Sequence, residues 1–216
     1  ICILFAGSKY IGISGQTNGY TKGAAHPWAG NFLNMLSIDN IKKEMEIQDV
    51  LGSLALAALK KSAEDYRQNH PEEKEKLYEE VDSKSWALIR RNGAWVARGF
   101  LDYSFEVFRG HYAHFDIPVK LPDELVSHDA LMIPWSSIKK QIPDAVDACS
   151  SPTDDILAVI TPNKLYIYKK DGKIDLRKPS YKTSLWNESP VMIQWATDSF
   201  VEKWTQDIKK MGGKEI

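Results

Sequence analysis

Within Gly110-His111-Tyr112-Ala113-His114-Phe115-Asp116 the chain sets two imidazoles and a carboxylate inside six residues, and His128-Asp129 follow a short way on. Neutral imidazole and carboxylate are the ligands of Zn²⁺ and related ions, and a metal held with an open position activates water for hydrolysis. On an extended strand His114 and Asp116 share a face, whereas His111 falls on the other unless the turn at Arg109-Gly110 re-aims it. A metal-dependent hydrolase using His111, His114 and Asp116, with His128 as a spare ligand, is therefore an alternative reading. A transition metal is the only cofactor that this pattern implies.

A second set is Arg90, Arg91, Trp95, Arg98 and Arg109. Arginine and tryptophan dominate binding hot spots because each covers much area at modest entropic cost. Asn92-Gly93 tolerates the positive φ angles of a two-residue hairpin turn, which pairs Arg90 with Trp95 and Ile89 with Val96. An exposed guanidinium over an indole is worth about 0.5–1 kcal/mol, so the pair also steadies its own hairpin. Arg90, Arg91, Trp95 and Arg98 are the residues expected to dock a protein partner.

Other chemistry is poorly supported. Neither G-x-G-x-x-G nor G-x-x-x-x-G-K-[ST] occurs, which leaves the glycines of residues 7–31 without a phosphate-binding pattern. There is no G-x-S-x-G, and Cys149 sits in Ala-Cys-Ser-Ser with no histidine nearby in sequence. No catalytic residue can be named. With 28 basic and 29 acidic residues the formal charge is −1, too even a balance for a nucleic-acid module. Cys2 and Cys149 are expected to be independent thiols, Cys149 packed as a small apolar side chain.

These residues must be positioned by elements that the pattern partly reveals. The chain has 216 residues, 43% of them hydrophobic, enough for a real core. It opens on Ile1-Cys2-Ile3-Leu4-Phe5-Ala6, either a buried strand or the end of an anchor or signal segment that starts before Ile1. Residues 1–38 contain Lys9 and Lys22 but no acid, and their Gly/Ser/Asn composition reads as a long irregular loop over 7–31 that could lie near a membrane. Asp39 or Asn40 is placed to cap a helix with Leu51, Leu54, Ala55, Ala58, Ser62 and Tyr66 on one face. Gly52 weakens that helix and divides it, and Asn69-His70-Pro71 stops it.

Strands are expected on both sides of Asn92-Gly93, then from Leu101 through Val107, then from Phe115 to Leu121. Pro118 and Pro122 put the last of these at a sheet edge. A helix from Trp135 to Ile142 leads to strands at Ile156–Ile160, Leu165–Lys170, Lys173–Leu176 and Val191–Trp195. Ser199 and Glu202 have capping-box spacing for a final helix that ends at Gly212-Gly213.

The fold class is thus α+β, with N-terminal helices, predominantly antiparallel sheets built from hairpins, and a C-terminal helix. Residues 1–38 form the acid-poor segment, 39–122 the helices and first sheet, and 123–216 a second meander with the last helix, with 39–216 readable as one domain. The function expected is a non-catalytic binding or accessory module, tethered to a membrane or exported. A structural subunit of a membrane complex is the remaining alternative.

Overall fold

The computed structural model describes residues 1–20, 27–77, 79–103, 112–186 and 188–213. It is an α+β protein with three antiparallel sheets among the described residues. The first contains β1 (Cys2–Ala6), β2 (Tyr10–Tyr20) and β3 (Pro27–Ser37) in the order β1-β2-β3. Helices α1 (Ile47–Leu51), α2 (Ser53–Asn69) and α3 (Pro71–Lys74) come next in the chain. The second sheet is β4 (Trp86–Arg91), β5 (Ala94–Asp102) and β6 (Tyr112–Ile117). After α4 (Trp135–Gln141) the third sheet runs β10-β9-β8-β7, from β7 (Asp147–Ser150), β8 (Ile156–Thr161), β9 (Lys164–Lys169) and β10 (Tyr181–Ser184). Helix α5 (Ser199–Lys210) closes the chain.

The hairpin at Asn92-Gly93 forms as its turn chemistry requires. Asn92 has φ 56° and Gly93 φ 84°, and the register pairs Arg90 with Trp95 and Ile89 with Val96. Strand alternation then gives the second sheet two faces of different character. Trp86, Leu88, Trp95, Ala97, Leu101, Ala113, Phe115 and Ile117 are buried together with Ala55, Leu59 and Ala63 of α2. At Gly99 a side chain would collide with the Phe115 ring and come 2.9 Å from Leu59 Cδ1, so α2 approaches the sheet as closely as it does because residue 99 has none. On the other face Ala87 and Phe100 pack with Leu33 and Leu4 of the first sheet. The third sheet has its own core, in which Ile138 and Ile142 of the α4 region lie against Ala148, Leu157, Val159 and Tyr168.

Several elements differ from expectation. The stretch over 7–31 is no irregular loop: β2 and β3 pair continuously from Tyr10↔Ser37 to Tyr20↔Pro27. Glycine lowers strand propensity, but a Cβ at Gly12 would stand 3.4 Å from Ala87 Cβ, a proximity that only the packed sheets supply. Asn40 does not cap a helix; its Oδ1 accepts the Lys42 N–H at 3.2 Å, and α1 begins seven residues later with Ile47 N–H donating to Ser83 O. Gly52, at φ 89°, does separate α1 from α2. The packed face of α2 carries Ala55, Leu59, Ala63 and Arg67, while Leu54 is 84% exposed.

No strand forms at 173–176. Leu176 is buried instead, and its carbonyl accepts the Tyr168 hydroxyl at 3.0 Å. Residues 191–195 are also not a strand, although Val191 O accepts the Ala6 N–H. The α5 capping box is not made, since Asp198 holds the N-cap at φ 51° without a side-chain bond. The expected strand residues Phe105 and Val107, with Arg109, lie outside the described residues.

Candidate functional site

The four residues expected to share a docking face do not share one. With Arg90 opposite Trp95, the same register puts Ala87 opposite Arg98 and Arg91 opposite Ala94. Side chains alternate along each strand, so Arg90 and Trp95 point to the α2 side and Arg91 and Arg98 to the opposite side. Trp95 is 8% exposed and meets Phe5 edge-on at 5.0 Å. The Arg90 side chain is 3% exposed. Its Nε and Nη2 donate to the two Asp147 oxygens at 2.9 and 3.2 Å, Nη2 also to Ala148 O at 2.6 Å, and Nη1 to Asp129 Oδ1 at 2.6 Å. The guanidinium carbon lies 5.3 Å from the Trp95 ring centroid.

This is an internal brace. Asp147 Oδ1 also accepts Gly93 N–H at 2.8 Å, and Asp129 Oδ2 accepts Trp95 N–H. Burial works against the charge on Arg90, but the bonds to Asp147 and the two nearby carboxylates hold its pKa above the ordinary value. Burial pushes the Asp129 carboxyl up, against the pull of the Trp95 N–H and Arg90. The expected surface pair Arg90–Trp95 is therefore corrected to a buried one, because both side chains fall on the core face of the hairpin.

Arg91 and Arg98 remain accessible on the opposite face, where they share one carboxylate. Arg91 Nη1 donates to Asp116 Oδ2 at 2.6 Å and Arg98 Nη2 to Asp116 Oδ1 at 3.1 Å. Asp116 is thus neutralised by two cations. In the same row of the sheet Phe100 pairs with His114, and the Tyr112 and His114 rings meet edge-on at 4.7 Å. Burial, and then the charge of Arg98, lower the His114 pKa, opposed by a hydrogen bond to the Gly99 backbone.

These side chains line a cleft of about 480 Å³ between the first and second sheets. Arg98, Phe100, Tyr112 and His114 form one wall with Ile89; Leu4 of β1, Ser14 and Gln16 of β2, and Asn31, Phe32 and Leu33 of β3 form the other. Gln16 pairs with Asn31 and Gly15 with Phe32 in the β2–β3 register. Asn31 Nδ2 is buried and has no acceptor. Among the described residues Arg98 is the only charged one in the lining.

Of the proposed metal ligands, those among the described residues do not form a set. His114 and Asp116 do share a face, but Asp116 is held by the two arginines, and His111 lies outside the described residues. His128 lines a different cavity of about 180 Å³, together with Trp195 and residues 5–8. There His128 Nε2 and Trp195 Nε1 are buried without partners. Among the described residues no three His, Cys, Asp or Glu side chains come together as a metal site. Cys2 and Cys149 are free thiols, and burial raises the Cys149 pKa to about 11.

Sequence reasoning found Arg98 and His114, for different reasons, and missed Asn31, Gln16 and Phe32. Their signal was only a glycine-rich segment, and nothing local places that segment opposite β5. Compared with models of known families, with curated proteins and with solved structures, the chain matches none.

Proposed function

We propose that the chain is a non-catalytic binding module that holds its ligand in the cleft between the β1–β3 and β4–β6 sheets. The observation that carries this reading is the lining of a cavity large enough for a small organic ligand, where Arg98 stands among apolar side chains and the rings of Phe100, Tyr112 and His114. Arg91 and Arg98, the accessible remainder of the expected Arg/Trp docking set, stand on the same face of the sheet.

The groups that catalysis would recruit are otherwise engaged. Asp116 orients arginines rather than an imidazole. The Cys149 thiol, at about 11, yields little thiolate at neutral pH. No helix among the described residues is long and apolar enough to cross a membrane, and no observation of comparable weight favours the hydrolase or membrane-subunit readings.

The test is amide NMR of the intact chain with a set of neutral and charged aromatic fragments. The expected shifts cluster on Gln16, Asn31, Phe32, Tyr112 and His114. Shifts confined to the Trp195–His128 cavity, or none at all, overturn the proposal.

A further inference from the structure

We infer that the ligand of this cleft is a small organic anion, a carboxylate carried on a flat apolar body, with Arg98 as the group that recognises its charged end. The inference rests on the binding reading above and specifies its chemistry.

The charge balance comes first. Among the described residues no Asp, Glu or Lys lines the cleft, and Arg98 is the one charged residue that does. Arg98 shares Asp116 with Arg91, so this trio carries two positive charges against one negative. The wall therefore keeps a surplus positive charge without any ligand, and a cation would meet repulsion there.

The donors point the same way. Arg98 spends Nε and Nη2 on a single Asp116 oxygen, at 3.3 and 3.1 Å, which leaves Nη1 without a partner among the described residues. A guanidinium N–H₂ on the wall of a cavity calls for an acceptor, and hydrogen bonds to a charged acceptor are the stronger kind.

The rest of the lining sets the ligand's body. Leu4, Phe32, Leu33, Ile89 and Phe100 are apolar. The rings of Phe100, Tyr112 and His114 cluster with centroids 4.7 to 5.9 Å apart and offer aromatic faces and edges to a planar group. Gly15 also contributes, because a Cβ there would stand 2.5 Å from Phe32 Cζ, so the ring occupies the place of a side chain.

Isothermal titration with amide NMR tests this on the intact chain, using three probes of one shape: naphthoate, naphthamide and naphthylmethylammonium. The expected result is naphthoate bound in the cleft and at least about tenfold tighter than the amide, with the ammonium weakest. Arg98→Gln should abolish the advantage of naphthoate over naphthamide. Arg98 is linked to Asp116 at the surface, so its variant keeps the fold, which the unchanged amide spectrum away from the cleft verifies. Equal binding of acid and amide in the cleft overturns the anion inference and leaves the binding module standing. No cleft shifts with any of the three probes overturns both.

Discussion

Two arginines adjacent in sequence show how much environment decides a residue's role. Arg90 is enclosed by Asp147, Asp129 and the Ala148 carbonyl, whereas the Arg91 side chain is 48% exposed beside Asp116. Breaking a buried pair leaves uncompensated charge, so Arg90→Leu should cost about 3–5 kcal/mol in urea denaturation, against about 0–1 kcal/mol for Arg91→Ala. His114 gives a pH signature. Its folded pKa lies below the unfolded value because burial and Arg98 disfavour the imidazolium. The group therefore contributes stability above its unfolded pKa, near 6.5, and that contribution is lost as pH falls through the folded pKa. NMR titration should find His114 titrating below about 6.5, and His114→Gln should flatten this part of the stability–pH curve. Of the residue-level site, the register alone separated Arg90 and Trp95 from Arg91 and Arg98. Alternation was legible in the sequence; which face would be covered by α2 was not.

Among the elements, those with strong local chemistry were readable and those made by packing were not. The β4–β5 hairpin followed from Asn92-Gly93, the break at Gly52 from its missing side chain, and the edge position of β6 from Pro118. The β2–β3 pair was unreadable because Gly12, Gly15 and Gly19 argue against strands locally, while Leu33 and Met35 are buried only once the second sheet is present. Gly99→Ala tests the closest of these contacts. A methyl placed against the Phe115 ring and Leu59 should destabilise the fold by about 1–3 kcal/mol, read from the shift in denaturation midpoint. Helix α5 is the opposite case. None of its side chains is buried, and Phe200, Val201 and Ile208 are about half exposed. Val201→Glu should therefore change stability by less than about 0.5 kcal/mol in the same assay.

Across the whole molecule, the two larger of three hydrophobic clusters are bridged by a polar network. One gathers α2 with the second sheet and parts of the first; the other gathers α4 with the third sheet. Arg90 ties the β4–β5 hairpin to Asp147 and Ala148 of β7, and Gly93 N–H adds a bond to the same Asp147. If this connection makes the two cores unfold together, hydrogen exchange at Leu157 and Val159 should report the same opening free energy as at Ala97 and Leu101. In Arg90→Leu the β8 amides should exchange faster than those of β5.

Turn residues, prolines and alternation act within a few residues of chain, and from them the α+β class, the antiparallel hairpins and the order of most helices could be read. That Arg90 is internal, that Arg98 and His114 face a cleft, and that Asn31 and Phe32 stand on its far wall follows from packing between distant segments. Those residues meet across sheets whose packing is set by burial, and burial is a property of surfaces brought together from distant parts of the chain.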